Sequence, residues 1–247
     1  MQSTPGLRLS VVVPVRNEAG NIAPLVAEIE AACTGLSPFE IIYVNDGSTD
    51  GTDAELKRLA AEKPSLRFLR HARSGGQSAA VRTGVRAARS PVIATLDGDG
   101  QNDPAFIPRM VAALEAASEG AGMVQGQRLG RKDTGFKRMQ SRIANRVRRY
   151  ILKDDTRDTG CGLKVFRREV YLSLPYFKAL HRFMPALVKR EGHDVLLVDV
   201  VDRPRLTGIS NYGFFDRLWV GIIDIIGVRW LISRRGENPE VVENSEC

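Results

Sequence analysis

Cysteine and histidine are scarce in this chain, with three of each among 247 residues. Cys33, Cys161 and Cys247 cannot all pair within one chain, and their wide spacing matches no metal-ligand pattern. Both points argue against a disulfide scaffold or a zinc module. His71, His181 and His193 are scattered, without triad or ligand spacing, and read as structural. Long apolar runs are missing as well. No stretch of about 18 or more uncharged apolar residues occurs, so no transmembrane helix is expected. The opening MQSTPGLRLSVVVP lacks a basic segment followed by a long apolar core. No secretory signal is therefore expected, and folding in the cytosol is. Acidic residues are in deficit, 29 against 36 Lys and Arg, for a net charge of +7. That balance points to an anionic partner: nucleic acid, a phosphorylated small molecule or a membrane surface.

What is present is ordinary globular composition, 43% hydrophobic and 26% charged. It excludes global disorder, and the length fits one large domain, alone or with a small appendage. The basic charge is uneven. Arg128 to Arg149 contain nine Lys or Arg and one acidic residue, Asp133.

Leu9–Val13, a β-branched run closed by Pro14, predicts a buried strand, and Ile22, Leu25, Val26, Ile29 and Cys33 then recur at helical spacing. Glu40–Val44 predicts a second strand. Thr52 and Glu55 stand at capping-box spacing and open a helix to about Ala61. Leu66–Leu69 is a short strand, and Gly75 and Gly76 precede an Ala-rich helix to about Ala88. Pro91–Leu96 is the next strand, and Asp103 and Pro104 offer an N-cap and N1 proline for a helix to about Ala117. Met123–Gln127, Cys161–Phe166 and Asp194–Val200 complete the strands. Arg138–Leu152 places Ile143, Val147, Tyr150 and Ile151 on one helical face and arginines on the rest. The alternation predicts an α/β fold with a mainly parallel sheet sandwiched by helices, whose ligands bind beyond the carboxyl ends of strands. Three polar loops stand at those ends: PVRNE, NDGSTDG and DGDGQND.

LDGDGQND, residues 96–103, carries the most chemistry. Asp97 and Asp99 are one residue apart at a strand end, with Gly98 and Gly100 permitting tight backbone geometry. Two such carboxylates share one hard divalent cation, Mg2+ or Mn2+, which keeps sites for water and substrate phosphates. Gln101 adds a neutral oxygen. In isolation the same residues also make a plain turn.

Together, VPVRNE, VNDGSTDGT and DGD, in this order, resemble the family 2 glycosyltransferases of the GT-A fold. DGDGQNDP, DTGCGLKVFRREV, HRFMPAL and RPRLTGISNYG are similar to stretches of the polyprenyl-phosphate glycosyltransferases, the group of dolichyl-phosphate mannose synthase and bacterial undecaprenyl-phosphate sugar transferases. The resemblance covers roughly residues 8–232. The HRFMPAL match makes His181 the histidine best placed for a role. The resemblance implies that Pro14, Arg16 and Glu18 border the nucleotide and Asp46 contacts its base. Asn45 stands where an Asp is common, and Arg16 where an aromatic is. The resemblance further implies that Gly75 and Gly76 let the backbone approach the nucleotide, and that Asp97, Asp99 and Gln101 bind the metal bridging the donor diphosphate. Arg128, Arg138, Ser141 and Arg203 would clamp the donor and acceptor phosphates, with Lys137 as the alternative to Arg138 and Arg205 as the alternative to Arg203.

The implied reaction is inverting and metal-dependent, from a UDP- or GDP-linked sugar to a polyprenyl phosphate. No Glu-Asp dipeptide occurs in the chain. Family 2 enzymes with alcohol acceptors often draw their base from one, so its absence favours a phosphate acceptor. The alternative is an alcohol acceptor with a carboxylate base such as Asp158. A nucleic-acid-binding domain lacks any supporting motif beyond charge, and three acidic loops oppose it. A non-catalytic nucleotide-sugar-binding protein is opposed by the intact metal motif.

The expected organisation is a GT-A catalytic domain over 1–212, with a nucleotide-binding half at 8–127 and an acceptor-binding half at 128–212. An amphipathic helix over 213–235 and a polar tail over 236–247 follow. On a wheel of Phe214–Ile232, Leu218, Trp219, Ile222, Ile225, Ile226 and Trp230 share a broad face opposite Asp216, Arg217, Gly221, Asp224 and Gly227. Such a helix suits a bilayer interface, with Arg229, Arg234 and Arg235 meeting headgroups, or a core or homo-oligomer contact. The first option places the protein at the cytoplasmic face of a membrane, peripherally bound.

Overall fold

The structure, a computed structural model, describes residues 6–129, 148–203 and 214–236. Seven strands form one sheet: β1 (Leu9–Val15), β2 (Phe39–Asn45), β3 (Leu66–Arg70), β4 (Val92–Thr95), β5 (Ala121–Arg128), β6 (Lys164–Arg167) and β7 (Asp194–Val200). Their order is β3-β2-β1-β4-β6-β5-β7. β6 runs antiparallel to β4 and β5, and the other pairings are parallel. The helices are α1 (Ala19–Cys33), α2 (Thr52–Glu62), α3 (Gln77–Ala87), α4 (Ile107–Ala116), α5 (Arg168–Ser173), α6 (Leu180–Arg190) and α7 (Phe214–Ser233).

Alternation along β1 shows how both faces are filled. Leu9, Val11, Val13 and Val15 enter a core shared with α1, α2 and α4, whereas Val12 enters a second core shared with α3, α5, α6 and α7. A strand covered on both faces reads as a continuous apolar run, which is why LSVVV was legible. β1 nevertheless continues through Pro14 to Val15. The Val15 carbonyl accepts from Asp46 N on the β2 side. By alternation Pro14 faces the β4 side, where pairing has already stopped at Val12–Thr95. The missing N–H costs no ladder bond there.

Other expectations need correction. Thr52 does not make a capping box, because Gly51 is the N-cap and no side chain caps the helix. The Thr52 hydroxyl instead accepts from Glu18 N at 3.0 Å and ties the start of α2 to the start of α1. Asp103 caps not α4 directly but a 3-10 turn, Pro104–Phe106, that leads into it. β6 begins at Lys164, not Cys161, because the preceding residues line a cavity. In the helical residues 148–152, Ile151 packs on the second core as expected, but two residues change sides. Tyr150 is 86% exposed, while Arg148 is buried and bonded to Asp154 and the Thr156 carbonyl. Asp154 supplies the countercharge that allows an arginine inside.

α7 also departs from the wheel. Val228 is buried and Ile225, Leu231 and Ile232 pack beside it on the second core, which puts Ile225 on the docked side. Asp224 sits on that side too, partly buried, its pKa raised by burial against the opposing charge of Arg182. Ile222, Ile223, Ile226 and Trp230 remain exposed. The side chains of Leu218, Trp219, Asp216 and Arg217 lie outside the described ones, as do residues 237–247. No described helix is long and apolar enough to cross a membrane.

Candidate active site

β1 pairs with β2 on one side and β4 on the other, so the chain's connections diverge at its carboxyl end. Such a switch point leaves a crevice in an open α/β sheet. Here it holds a cavity of about 340 Å3. Pro14 of β1, Thr95, Leu96 and Asp97 at the end of β4, and Arg128 at the end of β5 form its base. Asp158–Gly162 and Lys164 enter from the strand that runs the opposite way. Gln77 and Val81 of α3 and His181, Arg182 and Met184 of α6 form the facing wall.

Asp97 is the cavity's central carboxylate. Its Oδ1 accepts from Gln77 Nε2 at 2.7 Å, and its amide donates to Asn102 Oδ1 at 2.9 Å. Gly162 lets it sit there, because a Cβ at that position would collide with the Asp97 carboxylate. Burial, and then the neighbouring charge of Asp99, push the Asp97 pKa up to about 6. Asp99 lies behind it, buried, accepting Gln101 N at 3.1 Å. Gln101 in turn accepts Arg203 N on its carbonyl at 2.8 Å. This set fits a hard divalent cation: its donors are oxygens, two of them from carboxylates one residue apart. Among the described residues no cluster of three or more His, Cys, Asp or Glu forms a ligand cage.

Arg128 lies at the cavity base with its guanidinium already engaged. It is bonded to Asp158 through Nε and through Nη2 at 2.9 Å, and to Asp202 through Nη1 at 3.1 Å. Burial lowers its pKa, but Asp158 and Asp202 more than reverse this and leave it raised. Arg203, expected in the same clamp, does not line the cavity. It bridges Glu28 of α1 and Asp103, each at 2.7 Å. Arg138, Ser141, Lys137 and Arg205 lie outside the described residues.

A second cluster forms at the end of β2. Asp46 accepts four donors: His71 Nδ1 at 2.7 Å, Gly75 N at 2.8 Å, Ser74 Oγ at 2.6 Å and Gly76 N at 2.8 Å. Burial alone would raise its pKa, but these donors outweigh it and the pKa is lowered. Asp46 thus fixes the loop that enters α3, where Gly76 takes φ +86°, a conformation suited to glycine. Arg16 is exposed, and Glu18 is partly buried with Oε2 accepting from Asn21 at 2.6 Å. Of the expected residues, the cavity gathers Pro14, Asp97 and Arg128. Asp99 and Gln101 stand directly behind, and Asp46, Gly75 and Gly76 shape the adjoining loop.

Several cavity residues were not singled out in the sequence. Lys164 is buried, its pKa lowered chiefly by burial, and its ammonium donates to the Cys161 carbonyl. A lysine inside LKVF, flanked by core residues, was a readable signal. Gln77 had none, and neither did Asp202, which reaches the cavity only through its bond to Arg128, since long-range folding brings both in.

The family model described as glycosyl transferase family 2 matches residues 10–174. The chain belongs to that family and is a glycosyltransferase. It is 35% identical over 235 residues to the dodecaprenyl-phosphate galacturonate synthase of Rhizobium johnstonii, an alignment covering 92% of this chain and 68% of that protein. It is 33% identical over 215 residues to the undecaprenyl-phosphate 4-deoxy-4-formamido-L-arabinose transferase of Aeromonas hydrophila, covering 86% of this chain and 65% of that one. The chain thus spans about two thirds of the length of these relatives. Among solved structures, it superposes on the mannosyltransferase PcManGT from Pyrobaculum calidifontis, in complex with GDP-Man and Mn2+, with TM-score 0.65 and 20% identity over 96% of this chain and 67% of that one. It also superposes on glucosyl-3-phosphoglycerate synthase from Mycobacterium tuberculosis, in complex with Mn2+, UDP and phosphoglyceric acid, with TM-score 0.68 and 18% identity over 94% and 80%. The fold is GT-A.

Proposed function

We propose that this glycosyltransferase moves a sugar, with inversion, from a UDP- or GDP-linked donor to a polyprenyl phosphate at the cytoplasmic face of a membrane, with Mg2+ or Mn2+ as cofactor. The observation that carries the reading is Asp97, facing the switch-point cavity with Asp99 behind it and Arg128 and Lys164 beside it. The names of the two sequence relatives supply the acceptor class, and the complexes of the structural neighbours supply the nucleotide and ion classes.

In this reading Asp97 and Asp99, with Gln101, hold the cation, which when bound offsets the charge of the departing nucleoside diphosphate. Pro14, Arg16 and Glu18 border the nucleotide. Asp46 serves it through the loop of Gly75 and Gly76, and a direct contact with the base would compete with its four present donors. Arg128, pinned by Asp158 and Asp202, keeps positive charge at a fixed place in the cavity base. Arg138 and Ser141 complete the phosphate clamp, and Arg203 acts from outside by bracing the loop of Gln101. A phosphate monoester, with a second pKa near 6, is largely ionised at neutral pH and attacks without a base. The enzyme then supplies orientation and charge balance. An alcohol acceptor needs a free carboxylate, whereas Asp158 is held in its pair with Arg128. The exposed Ile222, Ile223, Ile226 and Trp230 of α7, with Arg229 and Arg234 nearby, suit a peripheral membrane contact.

Calorimetric titration of UDP and GDP with and without Mn2+ tests the donor half. One nucleotide is expected to bind at least about tenfold tighter with Mn2+, and Asp99→Asn to remove that gain. Equal affinity with and without the ion in the wild type contradicts the reading.

A further inference from the structure

We infer that Arg182 and His181, adjacent in the first turn of α6, bind an anionic oxygen group of a substrate within the cavity, either the acceptor phosphate or a carboxylate on the sugar. The inference rests on the transferase reading and extends it to a wall of the cavity that reading leaves unused.

Among the described residues, the cavity's other cations already have protein partners. Arg128 is shared between Asp158 and Asp202, and the Lys164 ammonium is directed at the Cys161 carbonyl. Arg203 lies elsewhere, between Glu28 and Asp103. Arg182 lines the cavity, is exposed, and has no hydrogen bond or ion pair from its guanidinium among the described residues. Asp224 of α7 is the acid that feels its charge, without forming an ion pair with it. A free guanidinium offers two parallel donors matched to phosphate or carboxylate.

His181 adds a donor of fixed polarity. Its Nδ1 is 2.7 Å from Ser78 Oγ, and its backbone N–H donates to the same oxygen at 3.3 Å. The serine hydroxyl has one proton, and no other acceptor for it is found among the described residues. Ser78 therefore donates to Nδ1, and the ring carries its own proton on Nε2. Nε2 has no protein partner among the described residues, and His181 lines the cavity. Burial, then the charges of Arg182 and Lys164, push the ring's pKa down to about 3, so the donor is neutral at physiological pH.

The test titrates the purified full chain with farnesyl phosphate, and separately with D-galacturonate against D-galactose, in wild type, Arg182→Gln, Arg182→Lys, His181→Leu and His181→Gln. Arg182→Gln is expected to weaken one anionic probe by roughly tenfold or more. Arg182→Lys should restore part of the loss. His181→Leu should weaken the same probe, and His181→Gln, which keeps a neutral donor, should not. Loss confined to farnesyl phosphate identifies the acceptor phosphate as the bound group, and loss confined to galacturonate identifies a sugar carboxylate. Unchanged affinities in Arg182→Gln, or a wild type that binds neither probe, overturn the inference. An Nδ1–H tautomer in 15N NMR overturns the part assigned to His181. Ion-dependent nucleotide binding on the same samples separates the two readings. Nucleotide binding with Arg182-independent probes overturns only the pair, and Arg182-dependent probes without nucleotide binding overturn only the transferase.

Discussion

Asp97 is a partly buried carboxylate beside a second one, and its elevated pKa has a definite sign for stability. The native state holds a proton that the unfolded chain has already lost between about pH 4 and 6. Ion-free stability should therefore fall as pH rises through that window and stay reduced above it. Asp97→Asn is expected to raise the melting temperature of the ion-free protein at pH 7.5 by several degrees while abolishing transfer. Scanning calorimetry in EDTA checks this, and an unchanged or lower Tm contradicts it. Cation affinity should weaken as pH drops below about 6, where a proton competes for Asp97. Arg128→Ala has the opposite character. It leaves Asp158 and Asp202 partly buried without their cation and should cost about 3–5 kcal/mol, read as a lower midpoint in urea. A loss below about 1 kcal/mol would mean that solvent replaces the pair. Motif reading could locate Asp97 and Asp99 because their spacing is local. It could not reveal that Asp46 engages its oxygens with His71 and with Ser74–Gly76, 25 to 30 residues away, since two of those four donors are backbone amides, which any sequence provides, and the two side chains are brought in by folding.

Among the elements, α7 is the one whose two apolar faces have separate fates. Val228 is docked in the second core, whereas Ile226 and Trp230 face out. Ile226→Ser with Trp230→Ser should leave thermal stability within about 0.5 kcal/mol and reduce sedimentation with anionic liposomes several-fold. Val228→Ala should cost about 1–2 kcal/mol, with little direct effect on liposome binding. The reverse pattern would assign the exposed face to folding. A helix apolar nearly all round gives a wheel no clear inner side, so Ile225 and Asp224 were misplaced until α6 supplied a partner. The same limit explains Tyr150 and Arg148: the buried Asp154 that draws Arg148 inward cannot be read from the helix alone. Strands were more legible. Apolar and β-branched runs located all seven, with errors of position at Pro14 and at the starts of β5 and β6.

For the whole molecule, topology turns these local features into a site. The three polar loops stand at strand ends, and strand order brings the ends of β1 and β4 together where the connections diverge. Thus the fold class and the acidic centre were legible from the sequence. The antiparallel sense of β6, and the packing of α6 that turns its HRFMPAL stretch into a cavity wall, were not, because both depend on contacts between distant segments. The account's central claim is that this site joins a nucleotide-linked sugar to a lipid phosphate. The most direct measurement offers UDP- and GDP-sugars with a short polyprenyl phosphate and Mg2+ or Mn2+ to the purified chain, and reads lipid products by mass spectrometry with and without EDTA. The account predicts a glycosyl-phospho-lipid from one donor, lost in EDTA and in Asp99→Asn. Transfer to an alcohol acceptor, or no product from folded, nucleotide-binding protein across the panel, would contradict it.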